Sequence, residues 1–278
     1  MKLGFIGGGN MAEALIIGLK NQHGLNQHAL NQQLAMQNIT VIELDANKRI
    51  ELGQLGINAT NALPQIQTCE VIVLAVKPQQ LPSLSKTLAP LLSNQLLISI
   101  AAGIRLADLS RWLGNYKTIV RAMPNTPAQI QAGITGLYAM PGVTPAQMAM
   151  ADQILSVAGT TIWLDAEEKL DAVTAISGSG PAYVFYLIEA LQAAAVALGL
   201  TQAQAKQLSI ATFKGASLLA DASTTPIDTL REQVTSKGGT TEQGLLSLQN
   251  SQVKQAIILA AQKACERAKT LGDELGKD

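Results

Sequence analysis

The chain is 278 residues long, a length that suits two compact domains or one large one. Lysine plus arginine and aspartate plus glutamate balance at 20 each with no basic block, which makes nucleic acid and anionic membrane surfaces poor partners. The two histidines, His23 and His28, share one polar stretch, and Cys69 and Cys265 stand far apart outside any metal-type spacing, so metal hydrolysis and histidine triads are excluded and no metal site is expected.

Met1-Lys2 leads straight into an apolar strand, Lys2-Leu3-Gly4-Phe5-Ile6, with no secretory leader, which points to a cytoplasmic protein with reduced thiols. Gly7-Gly8-Gly9-Asn10-Met11-Ala12 follows, and Ala14, Leu15, Ile16 and Leu19 continue at helical spacing. Strand, glycine turn and helix in this order fit the dinucleotide-binding fingerprint, with Ala12 at its third small position. Gly7 makes the tight turn, Gly9 lets a pyrophosphate approach the backbone, and Ala12 lets helix and strand pack closely. A glycine turn without a ligand has the same local pattern; the surrounding strand and helix order favours the cofactor.

Ile39-Thr40-Val41-Ile42-Glu43 is the second strand. Glu43 sits where an acidic residue meets the adenosine ribose, although it follows Ala12 by 31 residues where roughly 20 is usual. The excess is the Gln- and Asn-rich stretch 21–38, read as a helix extension and a surface loop. Glu43 with Asp45 would accept from a ribose 2′-hydroxyl and repel a 2′-phosphate. Like charges about 4 Å apart repel by roughly 1 kcal/mol in water and about 4 at an effective dielectric near 20. The cofactor is therefore NADPH or NADH, with Glu43 leaning to NADH by roughly tenfold to several hundredfold. For Asp45 the plainer role of capping a helix over Lys48 to Leu55 is preferred, and for Glu43 the ribose over a solvated strand end.

Val71 to Val76 ends at Lys77-Pro78, Leu96 to Ile100 at Ala101-Ala102-Gly103, and Ile119 to Met123 at Pro124-Asn125-Thr126-Pro127. Continuous apolar runs of this kind are buried parallel strands. Ligands of such sheets bind at the carboxyl ends, so these three loops should share a crevice with Gly7 to Met11. Ile134 to Ala139 and Thr160 to Leu164 are further strands, with an antiparallel direction left open.

From about Ala166 the pattern is helical. Leu187 to Leu200, broken by Glu189 and Gln192, falls short of a membrane span, and Leu187 to Leu198 within it is too apolar for one wet face. Such a helix is buried in a core or against another subunit. Val234-Thr235-Ser236-Lys237-Gly238-Gly239-Thr240-Thr241-Glu242-Gln243 then combines two glycines with several hydroxyls. Thr240 and Gln243 fit a capping box, and the first amides of a helix starting there would suit a carboxylate. A capped turn with no ligand remains the alternative reading of this segment alone.

Five motifs in order give the chain a specific resemblance to pyrroline-5-carboxylate reductases, from Lys2 to about residue 270. They are Phe5-Ile6-Gly7-Gly8-Gly9-Asn10-Met11, Ala75-Val76-Lys77-Pro78, Arg121 to Pro127, Ser177-Gly178-Ser179-Gly180-Pro181-Ala182-Tyr183, and Thr235 to Thr241. The resemblance implies an α/β fold, a Rossmann-type dinucleotide-binding domain over 1–164 followed by an all-α dimerisation and substrate domain over 165–278. It implies NAD(P)H held by Gly7, Gly9, Asn10, Met11, Val76, Lys77, Ala101 and Ala102, with Asn125 near the nicotinamide. The family's substrate loop falls on Ser236, Gly239, Thr240 and Thr241, with Thr241 and Ser236 as the catalytic candidates. A homodimer that can assemble into decamers is implied as well. Lys237 replaces the family's usual proline, an extra residue lies around Thr224 to Asp228, and Glu43 replaces a small polar residue common in NADPH-preferring members.

Reduction of a cyclic imino acid needs little acid catalysis once its nitrogen is protonated, which suits a site without histidine. Orientation of the C=N carbon against the nicotinamide can contribute up to about 7–11 kcal/mol. The expected roles are amides of Gly239 to Thr241 on the substrate carboxylate and the Thr241 hydroxyl at the ring nitrogen. Lys237 is expected to face water. A β-hydroxyacid dehydrogenase would need a lysine shortly after a glycine-rich segment, and Pro181-Ala182-Tyr183-Val184-Phe185 supplies none. A non-catalytic NAD-binding sensor is the remaining rival.

Overall fold

The computed structural model describes residues 1–23 and 34–277. Most of the 21–38 stretch, including His28, lies outside the described residues.

Six short strands run parallel: β1 (Leu3–Ile6), β2 (Ile39–Ile42), β3 (Asn58–Thr60), β4 (Val71–Leu74), β5 (Leu96–Ser99) and β6 (Ile119–Met123). β7 (Gly133–Ala139) pairs antiparallel with β6, and β8 (Gly159–Trp163) pairs parallel with β7. The last two strands therefore both run against the first six, which answers the direction the sequence left open. The order across the eight strands is β3-β2-β1-β4-β5-β6-β7-β8. The chain winds outward from β1 through β2 and β3, then crosses back to β4 on the other side of β1. That reversal is the point at which open α/β sheets bind ligands.

The central strands are continuous apolar runs because both faces are covered. Phe5, Val73, Ile98 and Val120 face one core with α1 (Asn10–His23), α2 (Ala46–Gly53) and α5 (Pro145–Leu155), which contribute Leu15, Leu52 and Ile154. Their alternates Ile6, Leu74 and Leu97 face a second core with α3 (Leu81–Leu88) and α4 (Leu106–Trp112). Each such side chain, fully buried, stabilises the fold by about 1.5–3 kcal/mol. Cys69 lies in the second core, where burial pushes its thiol above the usual range, so it is a packing residue.

After β8 come α6 (Lys169–Val173), a π turn over Thr174–Gly178, α7 (Gly180–Ala197), α8 (Gln202–Asp221), α9 (Ile227–Gln233), α10 (Thr240–Asn250) and α11 (Val253–Leu275). Two compact units result: Met1–Ser179 together with the stretch from Ala264 onward, and Gly180–Lys263. The division by contacts falls at Ser179, beyond the change of pattern at Leu164, and the last turns of α11 belong to the sheet unit. There Leu271 and Leu275 lie against Gly103, which has a positive φ of 76°. Arg105 pairs with Asp273 at 2.7 Å, and Gly272 lies against Arg105 and the Gly103 carbonyl.

In the second unit, Thr201 caps α8 in a capping box with Gln204. α7 buries none of its residues in the single chain, and Val184, Phe185, Leu191, Leu208 and Ile210 stand exposed on α7 and α8. The helical path Lys169–Ala197 is long and apolar enough, by length and composition, to cross a membrane, which the shorter Leu187 to Leu200 stretch is not. Apolar surface on this scale calls for cover.

Candidate active site

Gly7 turns out of β1 with φ 96°, its amide bonded to the Ile42 carbonyl at 2.9 Å. A Cβ there would meet the Ala75 carbonyl oxygen at 2.7 Å, so only glycine fits. Gly9 is the opposite case: nothing lies within 4 Å of where its Cβ would point. That open side, directly before α1, leaves room for a pyrophosphate against the backbone. Ala12 is fully buried against the sheet, as close helix packing needs.

The carboxyl ends of β1, β2, β3 and β4 enclose a cleft of ≈ 580 Å³ lined by Gly7, Gly9, Glu43, Asn61, Val76 and Lys77, among others. Glu43 is half-buried, and both of its oxygens are already anchored: Oε2 accepts from the Gly8 amide at 2.8 Å and Oε1 from the Asp45 amide at 3.0 Å. Each oxygen keeps a further lone pair for a hydroxyl. Asp45 turns away, its Oδ1 accepting from the amides of Asn47 at 2.8 Å and Lys48 at 3.1 Å as the N-cap of α2. Arg49 lies along the same turn, donating to the carbonyls of Glu43 and Leu44 at 2.9 and 2.7 Å.

The other candidates are placed less uniformly. Asn10 lines a separate hollow with Glu13 and Gln129, and the Met11 side chain packs on the first core. Ala101 and Ala102 follow β5, and Asn125 follows β6, outside the lining of the main cleft. Asn125 is buried, and its Oδ1 accepts from the Ile134 amide at 2.9 Å. Asn61 and Leu63, which also line the main cleft, escaped the sequence reading. They follow a strand of only three residues, Asn58-Ala59-Thr60, whose pattern is too short to register.

The Ser236 to Thr241 segment corrects two expectations. α10 does begin at Thr240, but its N-cap is Gly239 and no Thr240–Gln243 box forms. Glu242 reaches back instead, accepting from the Gly238 amide at 2.7 Å, across a turn in which Gly238 has φ 74°. The Gly239 amide is also spent, donating to the Ser236 carbonyl at 2.9 Å. Thr240 and Thr241 are the first helical residues, whose amides have no partner within a helix. The Lys237 side chain is exposed in the single chain.

A doubly wound sheet whose glycine turn opens on a cleft with an anchored carboxylate defines a nicotinamide-dinucleotide oxidoreductase. The model for pyrroline-5-carboxylate reductase dimerisation matches residues 167–271, and a model described as NADP oxidoreductase, coenzyme F420-dependent, matches residues 2–103. The pyrroline-5-carboxylate reductase of Pseudomonas aeruginosa is 40% identical over 98% of both chains. A pyrroline-5-carboxylate reductase structure from Coxiella burnetii superposes with TM-score 0.89 at 38% identity, covering 97% of this chain and 98% of that one. The Plasmodium falciparum pyrroline carboxylate reductase, solved with NADP bound, gives 0.83 at 31% identity over 98% of both chains. The chain belongs to the pyrroline-5-carboxylate reductase family.

Proposed function

We propose that this chain reduces 1-pyrroline-5-carboxylate to L-proline, the last step of proline biosynthesis, using NADH or NADPH. The observation that carries the reading is the glycine turn at Gly7 to Gly9, open at Gly9 and bonded through the Gly8 amide to Glu43 at the rim of one cleft. A bound nicotinamide supplies the hydride. The chain's residues then bind and orient. Gly7, Gly9, Asn10 and Met11 hold the pyrophosphate through backbone, Val76 and Lys77 flank it, and Ala101, Ala102 and Asn125 border the nicotinamide end. The amides of Thr240 and Thr241, with Gly239 at the turn, hold the substrate carboxylate. The Thr241 hydroxyl, assisted by Ser236, holds a proton at the ring nitrogen, and the protonated imine is already a good hydride acceptor.

Glu43 sets a preference for NADH, since its fixed carboxylate accepts from a ribose 2′-hydroxyl and repels a 2′-phosphate. Asp45 adds little, because its charge is spent on α2, and Arg49 in the same turn offsets part of the repulsion. The preference therefore lies near the tenfold end of its range. We assign cofactor binding to 1–164 and dimerisation with substrate binding to 165–278, in a cytoplasmic homodimer able to build decamers. Lys237 faces water.

The test mixes purified protein with 1-pyrroline-5-carboxylate and follows nicotinamide absorbance with NADH and NADPH in parallel. Faster oxidation of NADH supports both the reaction and the role of Glu43. Faster oxidation of NADPH keeps the reaction and removes the Glu43 assignment. No turnover with either overturns the reading.

A further inference from the structure

Arg121, buried, and Glu167, half-buried, form a pair that the reaction chemistry does not use. Arg121 lies on β6 with its side chain 7% exposed, and its Nη1 donates to Glu167 Oε1 at 2.8 Å. Asp171 Oδ1 stands 4.0 Å from the other guanidinium nitrogen. The same Glu167 oxygen accepts a second bond, from the Leu106 amide at 2.8 Å. Leu106 is the first residue of α4, whose own N-cap, Arg105, makes no side-chain cap. A carboxylate 61 residues downstream therefore performs the capping.

One oxygen thus ties two loops together. The first loop leaves β5 at Ser99, carries Ala101 and Ala102, and ends at Leu106. The second leaves β6 at Met123, two residues beyond Arg121, and carries Asn125. A bidentate-capable, always-charged guanidinium and a charged acceptor give this joint a defined length, and burial protects it from screening.

We propose that Arg121 and Glu167 are positioning residues for the nicotinamide end of the crevice, setting the spacing between the loops after β5 and β6. The proposal rests on the reading that those two loops border the nicotinamide. The adenosine end, between Gly9, Glu43 and Asn61, uses other loops and is independent of the joint.

The test compares Glu167→Gln, which keeps the shape and loses the charge, with Glu167→Ala. Each is titrated with NADPH, with NADH, and with ADP as a probe of the adenosine end alone. Steady-state kinetics accompany the binding. The expected result is dinucleotide binding weakened about tenfold in Glu167→Ala and less in Glu167→Gln, with ADP binding within about twofold of wild type. kcat should fall along with dinucleotide affinity, since misplacement of reacting atoms by about 1 Å can lower a rate about a hundredfold. Equal loss of ADP and dinucleotide binding would mean a merely structural role and overturn the proposal, as would unchanged binding and kcat in both variants. If wild type itself binds ADP as tightly as the dinucleotides, the nicotinamide reading fails, a result distinct from failure of the joint. Should Glu167→Ala not fold, Glu167→Gln alone decides between the same outcomes.

Discussion

In the proposed function Glu43 carries selectivity on top of a structural role. Its oxygens are fixed by the Gly8 and Asp45 amides, so on the proposed reading it would meet a ribose without rearranging. Glu43→Ser should shift the ratio of kcat/KM for NADH over NADPH toward NADPH by at least about tenfold; an unchanged ratio would remove the ribose role. Thr241 is tested by Thr241→Ala, for which kcat should drop by about 10²–10⁴-fold near neutral pH and recover as pH falls. The sign follows from the substrate: at lower pH bulk water protonates the imine and replaces the hydroxyl. Near-normal turnover at neutral pH would show that Thr241 does not serve the nitrogen. At this scale the sequence was legible wherever a residue type has one steric use. Gly7, with no space for a Cβ, and Gly9, with space to spare, were distinguishable from the fingerprint alone. The joint between Arg121 and Glu167 was not, because nothing local to either residue marks a partner 46 positions away.

Among the elements, the buried central strands were readable from their unbroken apolar runs, and the cap at Asp45 from its place before an amphipathic helix. Asp45→Ala should destabilise the fold by about 1 kcal/mol, visible as a lower Tm, while leaving the cofactor preference unchanged. A shift in preference as large as that of Glu43→Ser would return Asp45 to the cofactor site. Harder to read were β3, with three residues, and the start of α10. Threonine followed by glutamine matches a capping box, yet Gly239 takes the cap and Glu242 reaches the turn, since Gly238 in the left-handed region brings its amide into range. Two overlapping polar pairs compete there, and backbone conformation decides between them.

For the whole molecule, the exposed apolar side chains of α7 and α8 explain why composition suggested a second subunit. The match of residues 167–271 to a dimerisation family accounts for the same surface without a bilayer. The assembled enzyme should therefore show a Tm that rises with protein concentration. Phe185→Asp, at a position 66% exposed in the single chain, should yield a monomer by sedimentation and abolish that dependence. An unchanged dimer would place the contact elsewhere on the helical unit. The division of the chain differs with the measure: the pattern of residues changes near 165, close to where the dimerisation match begins, whereas the packing changes at Ser179.

The return of α11 to the sheet unit also bears on how the chain is made. Leu271 and Leu275 close over Gly103, and Asp273 meets Arg105, so the loop that carries Ala101 and Ala102 is finished by residues made only after the whole helical unit. The nascent sheet can assemble early, but this loop lacks its packing partner throughout synthesis of the helical unit. A chain cut short before Leu271 would keep every strand yet leave that loop uncovered.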